Sequence, residues 1–395
     1  MNKMIIKPFG DIFDLSLGRT PSRSNPSYWN GTYPWVSIAD MSRNKYISHT
    51  KEHITSDAIF DTNIPIVKKG TVIMSFKLSI GKVCITDIDL YTNEAIMAFS
   101  PKPHYQIFPE FLYYYLTFYK WDKGNEVLLG VTLNKRTISQ SIAAIPQSLS
   151  EQQRIVEILD AEFAKIDALK ANAEKSLQAA KDLFQSVLTH ELKPKKNWNT
   201  KHLKEIGETQ TGTTPKTSYK HNYGSFMPFI KPADINIDGL GGLNYDNEGL
   251  SEQGAAQGRL FDSYSILMVC IGATIGKVGY SLHPISCNQQ INVLSPTQDY
   301  NYKYLYYYMS SPSFQFKVIK EGESAKATLP IINKTKWENL TITFPESLQE
   351  QNAIAIRLDE MNERCKALQD NYNKTITLCE DLKQALLRKA FNGEL

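Results

Sequence analysis

The feature that most constrains this chain is that its motifs are written twice, in the same order. Gly18-Arg19-Thr20-Pro21 returns as Gly212-Thr213-Thr214-Pro215, 194 residues later. At the same offset Pro34-Trp35-Val36 and Ala39-Asp40 return as Pro228-Phe229-Ile230 and Ala233-Asp234. Ile80-Gly81-Lys82-Val83 recurs unchanged as Ile275-Gly276-Lys277-Val278, and Leu112-Tyr113-Tyr114-Tyr115 as Leu305-Tyr306-Tyr307-Tyr308. Finally, Pro146-x-Ser148-Leu149-x-Glu151-Gln152 recurs as Pro345-x-Ser347-Leu348-x-Glu350-Gln351. Preserved order with an offset drifting only between 193 and 199 residues marks a tandem duplication.

Each copy divides in the same way. Its first part is rich in Gly, Pro, Tyr and short β-branched runs such as Gly70-Thr71-Val72-Ile73-Met74, which predicts short strands joined by turns. A helix is expected around Phe111–Tyr119 and again around Tyr304–Met309. The second part lacks internal Pro and Gly and predicts one long helix, Ser150–Leu192 and Gln349–Asn392. At about 1.5 Å per residue, helices of about 40 residues are about 60 Å long.

Both helices carry a heptad pattern. In the first, the seam positions are Ile155, Leu159, Glu162, Ile166, Leu169, Ala173, Ser176, Ala180, Leu183 and Val187. A shift of 199 gives Ile354, Leu358, Met361, Cys365, Leu368, Tyr372, Thr375, Cys379, Leu382 and Leu386. Extra apolar residues at Ile158, Phe163, Leu177 and Phe184 widen the stripe beyond a bare two-stranded seam. The expectation is that the helices pack on each other and leave surface for a partner; the alternative is that each caps its own head. On the paired reading, Leu169→Asp with Leu368→Asp should break the pair.

Composition bounds the rest. The 395 residues are 42% hydrophobic and 22% charged, ordinary for a globular chain. No apolar run is long enough for a membrane span, and the start is too weakly apolar for a secretory signal. Five cysteines without a Cys-x-x-Cys pair indicate neither a zinc knuckle nor a disulfide framework, so a cytoplasmic, prokaryotic location is expected. Net charge is +3, and it is unevenly placed: residues 1–149 carry 16 basic and 12 acidic groups, residues 200–346 carry 13 of each. That balance neither establishes nor excludes nucleic acid.

Two heads joined by paired antiparallel helices, with pseudo-two-fold symmetry, suit a duplex whose dyads have the same symmetry, and diverged heads suit two unlike half-sites. The ordered set of Gly-x-Thr-Pro loops, Pro-aromatic-Val/Ile…Asp segments, Ile-Gly-Lys-Val strands and Ser-Leu-x-Glu-Gln helix starts resembles the specificity subunit of type I restriction-modification enzymes, over essentially the whole chain. The resemblance implies an α+β fold in which two α/β target-recognition domains, residues 1–147 and 200–346, alternate with helical spacers, residues 148–192 and 347–395. It also implies double-stranded DNA with a bipartite asymmetric site as ligand. The implied partners are two methyltransferase subunits and, in the restriction complex, two restriction subunits. Catalysis and cofactors then belong to those partners, S-adenosylmethionine in the methyltransferase, ATP and magnesium in the restriction subunit, and this chain binds none.

The residues agree that the chemistry lies elsewhere. Adenine N6-methylation calls for an Asn/Asp-Pro-Pro-aromatic turn, and the nearest string, Asn25-Pro26-Ser27, lacks the second Pro and the aromatic. Gly272-Ala273-Thr274-Ile275-Gly276-Lys277-Val278 is one residue short of a phosphate-binding loop and ends in Val. His49-Thr50-Lys51-Glu52-His53 matches a zinc-protease pattern but lies in a strand-like context, with no His in the corresponding stretch of the second copy. The alternative from another class is a self-contained methyltransferase or nuclease with an unrecognised active site.

Candidate DNA contacts are cationic or amide side chains on expected loops. In the first head they are Arg19, Ser22, Arg23, Arg43, Lys45, Lys77, Ser79, Lys135 and Arg136. In the second they are Lys216, Lys220, Lys231, Thr274, Asn288, Gln289, Gln290 and Lys326. Gly18, Pro21, Gly212 and Pro215 are expected to shape their loops. Asp40 and Asp234 either form turns, the favoured reading, or accept from a cytosine amino group. The tyrosine runs are expected to pack, with at most half of them facing a core.

Overall fold

A computed structural model describes residues 3–41, 44–77, 79–121, 133–323 and 330–395. The chain forms two compact units: residues 1–171 with 377–395, and residues 172–376.

In the first unit, β1 (Met4–Pro8), α1 (Phe9–Ile12), β2 (Phe13–Leu17) and β3 (Trp29–Val36) lead into β4 (Tyr46–Ile47), β5 (Glu52–Ile54) and α2 (Ser56–Thr62). Then come β6 (Val72–Ser75), β7 (Val83–Thr86), β8 (Tyr91–Thr92), β9 (Ile96–Pro101), α3 (Pro109–Phe118), α4 (Lys135–Gln140) and β10 (Ile142–Pro146). A five-stranded sheet has the order β2-β9-β6-β7-β4, a three-stranded sheet the order β5-β3-β8, and β1 pairs antiparallel with β10. The long helix α5 (Leu149–Glu191) contributes its first half to this unit.

The apolar run of β6 is continuous because both faces of the sheet are covered. Val72, Met74 and Phe76 enter the core that also holds α3 and the start of α5, whereas Ile73 enters a second core with Val36, Cys84 and Ile96. Period-two alternation therefore feeds two cores from one strand.

The second unit repeats the plan. It contains β11 (Trp198–His202), α6 (Leu203–Ile206), β12 (Gly207–Thr211), β13 (Tyr223–Ile230), β14 (Gly249–Leu250), α7 (Glu252–Gln257) and β15 (Ile266–Val269). These are followed by β16 (Val278–Tyr280), β17 (Ser286–Cys287), β18 (Ile291–Pro296), α8 (Tyr302–Ser310), α9 (Pro312–Glu323), α10 (Lys334–Glu338), β19 (Thr341–Pro345) and α11 (Leu348–Asn392). Its sheets run β12-β18-β15-β16, β14-β13-β17 and β11-β19. The parallel pairing of β13 with β17 repeats that of β3 with β8.

The tyrosine runs correct one expectation. Tyr304, Tyr306, Tyr307 and Tyr308 are all buried, as are Tyr114 and Tyr115. Leu305 and its neighbouring tyrosines share one core with sheet residues Ile266 and Met268 and with Leu188, Ile354 and Leu358 of the long helices. A helix wedged between a sheet and another helix has no solvent face to spare, so more than half of its ring positions go inside.

Within each unit the two long helices run antiparallel. In the first unit Lys170 pairs with Glu380 and Lys383 with Asp167, so residue numbers rise along one helix as they fall along the other. In the second, the Arg357 guanidinium reaches Glu191 at 2.6 Å. Ile155, Leu159 and Ile166 are buried in the first unit, Ile354 and Leu358 in the second; Val187, Met361 and Leu386 are half-buried.

Four seam residues do not sit in a seam. Leu169 and Leu382 in the first unit are 51% and 48% exposed, and Leu183 and Leu368 in the second are 47% and 41% exposed. The buried row is the one that repeats every seven residues through Leu159, Ile166, Ala173 and Ala180, and through Leu358, Cys365 and Cys379 on α11. The small side chains at Ala173, Ala180, Cys365 and Cys379 suit a close helical approach. A narrow contact of that kind covers one row of the heptad and leaves the other at its rim. The Leu169→Asp, Leu368→Asp pair is therefore not expected to break the helical contact.

Candidate nucleic-acid interface

In both heads three segments converge on one edge, and backbone chemistry explains the repeated motifs there. The Gly18–Pro21 loop lies on the segment after β8: Arg19 N–H donates to the Thr92 carbonyl at 2.8 Å, and Thr20 Oγ1 donates to Glu94. In the second head Thr213 N–H donates to the Cys287 carbonyl at 2.9 Å, and Thr214 Oγ1 donates to Gln289. A Cβ on Gly18 would stand 1.9 Å from the Thr92 carbonyl oxygen, and one on Gly212 2.3 Å from that of Asn288. Only glycine lets the strands approach so closely.

The Ile-Gly-Lys-Val segment forms the second wall. Gly81 and Gly276 have φ of 86° and 88°, the left-handed region a turn requires here. The lysine that follows crosses to the loop beyond β3 or β13: Lys82 Nζ donates to the Ile38 carbonyl and Lys277 Nζ to that of Pro232, both at 3.2 Å. Asp40 and Asp234 close that loop. Asp40 accepts from Ser37 N–H at 2.8 Å and Lys51 N–H at 3.1 Å, and Asp234 from Lys231 N–H and Asn247 Nδ2, each at 2.9 Å. Both aspartates are turn formers.

On this shared frame the residues at matching positions differ, and Thr213 is turned inward, its Oγ1 accepting from Arg259 N–H at 3.0 Å. Arg19 stands where the second head has Thr213, Ser79 where it has Thr274, Lys77 where it has Gly272, and Glu94 where it has Gln289. Ser79, Thr274 and Gln289 are exposed. Donation from Thr20 holds the Glu94 carboxyl below the usual carboxylate range. Arg19 also donates to the Thr62 carbonyl at 2.5 Å, at the end of α2. On that helix Phe60 is 85% exposed, an apolar ring among the polar candidates.

The remaining candidates scatter. Lys135 and Arg136 are exposed in the first turn of α4, and Lys216 and Lys220 are exposed beside the entry to β13. Ser22 Oγ lies 2.8 Å from Ser24 Oγ. Gln290 is half-buried, its Nε2 donating to the Ile271 carbonyl at 3.5 Å. Arg23 is committed elsewhere: it forks onto Glu52 and lies 3.9 Å from the Trp29 ring centroid. That contact holds the Glu52 carboxyl low. Glu52 and His53 lie in strand β5, so the His-x-x-Glu-His string is not helical. Among the described residues no cluster of three or more His, Cys, Asp or Glu could hold a metal.

Three further candidates need correction. Lys45 is not at the loop edge; it donates to Asp160 of α5 at 2.9 Å, with its Nζ 4.6 Å from the Tyr114 ring centroid. Asn288 is buried and braces its own turn, donating to Gln290 Oε1 at 3.0 Å. Lys231 is turned onto Glu248. Residue type suggested contact in each case, but burial or an ion pair already uses the group. Arg43 and Lys326 lie outside the described residues.

The helix-opening motif also resolves. Ser148 Oγ and Ser347 Oγ accept from the N–H groups of Glu151 and Glu350 at 3.4 Å, the N-cap half of a capping box. Gln152 and Gln351 are fully buried, each joining three backbone groups of its own head.

Comparison with known proteins agrees with this architecture. Residues 1–179 and 195–378 match the type I restriction modification DNA specificity domain family. The chain is 24% identical to the type I restriction enzyme MjaIX specificity subunit of Methanocaldococcus jannaschii, covering 99% of this chain and 93% of that protein. It is also 24% identical to the EcoDI specificity subunit of Escherichia coli, covering 98% and 87%. A solved chain from work on assembly and conformational transition of a type I restriction-modification system superposes with a TM-score of 0.80 at 18% identity, covering 99% of this chain and 98% of that one. The HsdS subunit of Thermoanaerobacter tengcongensis gives 0.58 at 18% identity, covering 99% and 97%. Two family matches in tandem, each spanning a head and much of its helix, place this chain in the type I restriction-modification DNA specificity family.

Proposed function

We propose that this chain is the DNA-recognition subunit of a type I restriction-modification complex, in which each head reads one half of a bipartite, asymmetric site. The observation that carries this reading is one frame with two sets of outward side chains. The glycines, threonines, lysines and aspartates that build the edge are kept in both heads, whereas exposed Ser79 and Glu94 are replaced by exposed Thr274 and Gln289. A frame held constant while its readers change is what reading two unlike sequences requires.

The long helices serve two roles in this reading. They set the distance between half-sites, and their exposed leucines, Leu169 and Leu382 in one unit and Leu183 and Leu368 in the other, receive apolar surface of two methyltransferase subunits. S-adenosylmethionine chemistry belongs to those subunits, and ATP- and magnesium-dependent chemistry to restriction subunits where they join. The described residues include no helix long and apolar enough to cross a membrane. A complex that acts on genomic DNA in a prokaryotic cell works in the cytoplasm.

The test is reconstitution. The chain with its methyltransferase and S-adenosylmethionine should methylate a two-part site, and the chain alone, with DNA, magnesium and S-adenosylmethionine, should give neither methylation nor cleavage. Product from the chain alone would favour the self-contained enzyme.

A further inference from the structure

Each head is tied to its long helix by the same small set of polar groups. Gln152 Oε1 accepts from Phe108 N–H at 2.7 Å, and its Nε2 donates to the carbonyls of Pro146 at 2.8 Å and Gln106 at 3.1 Å. Gln351 repeats this with Asn301 N–H at 3.0 Å and the carbonyls of Pro345 at 3.0 Å and Asp299 at 3.4 Å. Two turns further along each helix, an aspartate meets the tyrosine run. Tyr114 donates to Asp160, and Tyr307 donates to Asp359 at 2.7 Å.

A lysine completes both sites, and it comes from different places. In the first unit Lys45, before β4, reaches Asp160; in the second Lys303, in the first turn of α8, reaches Asp359. The first head has Glu110 where the second has Lys303, and there Glu110 accepts from the Tyr46 hydroxyl at 2.6 Å instead. A carboxylate in this position would oppose Asp160, and Lys45 supplies the compensating charge. The same tyrosine–aspartate–lysine arrangement has thus been kept after its lysine changed position. The four charged side chains are only 19–48% exposed, and each carboxylate is held from two sides, by a tyrosine of the head and by a lysine.

We propose that Gln152, Tyr114 and Asp160, with Gln351, Tyr307 and Asp359, are positioning residues that fix each head's orientation on its helix and thereby the half-site spacing the complex accepts. The proposal rests on the reading that the helices set that spacing. A head free to rock on its helix would admit sites one base pair longer or shorter, with no change in the bases read. Because Gln152 and Gln351 are buried backbone clamps, the test uses the milder positions.

The chain is assembled with its methyltransferase subunits and given a DNA library in which the two half-sites are separated by spacers of every length. Wild type should prefer one spacer. Tyr114→Phe with Asp160→Asn should raise the ratio of off-spacer to on-spacer methylation about tenfold, the effect of losing a charge-assisted hydrogen bond's worth of restraint. Lys45→Ala should raise it in the same direction, and adding Glu110→Lys should restore the wild-type ratio by copying the second unit. A fall in total methylation with an unchanged spacer ratio, or no rescue by Glu110→Lys, would overturn the proposal while leaving the helical ruler standing. Equal methylation of all spacers by wild type would instead remove the ruler itself, and the proposal with it.

Discussion

Two leucines ten residues apart on α11 separate folding from assembly. Leu358 is fully buried among Leu188, Tyr307 and Ile354, whereas Leu368 is 41% exposed. Leu358→Ala removes the side chain beyond Cβ from a packed site, which costs about 3–5 kcal/mol once the residual cavity is included. In a unit of about two hundred residues that lowers Tm by about 6–20 °C. Leu368→Gln keeps helix propensity and forfeits only the covered part of a leucine, about 1 kcal/mol, for a shift of about 2–4 °C. The order reverses for assembly. Leu368→Gln, joined by Leu183→Gln, should weaken capture of the methyltransferase tenfold or more, about 1.4 kcal/mol at the least. Calorimetry of the chain and titration with purified methyltransferase measure the two effects separately. If Leu368→Gln melts as low as Leu358→Ala, the exposed row is part of the helical seam after all. Wild-type affinity in the double variant would remove the docking face.

Other outcomes follow from the same geometry. Gly18→Ala should displace the Thr20 loop and degrade recognition of one half-site only, read as methylation of sites altered in either half, because the added Cβ collides with backbone. Lys135→Gln with Arg136→Gln should flatten the dependence of log Kobs on log salt by up to about 1.8, about 0.9 for each phosphate no longer neutralised, in DNA titrations of the assembled complex. The Glu52 carboxyl, held low by Arg23, contributes stability that is present above its unfolded pKa and lost as pH falls through the lower folded value. Wild type should therefore lose its small Tm advantage over Glu52→Gln only below about pH 4.5, and an advantage constant to lower pH would contradict the assignment.

What could be read from the sequence was what repeats. The duplication, the strand-rich heads and the two long helices all follow from motif order and from where Pro and Gly are missing. Which heptad row is buried did not follow, because Leu169 and Leu159 look alike in a pattern, and the choice is made by the small residues Ala173, Ala180, Cys365 and Cys379. Among the candidate contacts, exposed Ser79 and Thr274 and buried Asn288 are equally polar on paper. Long-range partners decide them, Asp160 for Lys45 and Glu248 for Lys231. Gln152 and Gln351 were visible as a motif, but their task depends on loops more than forty residues away. Phe60 carried no signal at all, since an exposed aromatic in a short helix reads as core.

An exchange of one head tests whether each head reads its own half-site. Residues 1–147 are replaced by the corresponding head of another specificity subunit, the chimera is expressed with the methyltransferase, and methylated sites are mapped across the genome. One half of the recognised site should change while the other half and the spacer stay as they were. A site altered in both halves, or not altered at all, would show that the heads do not read the two half-sites separately.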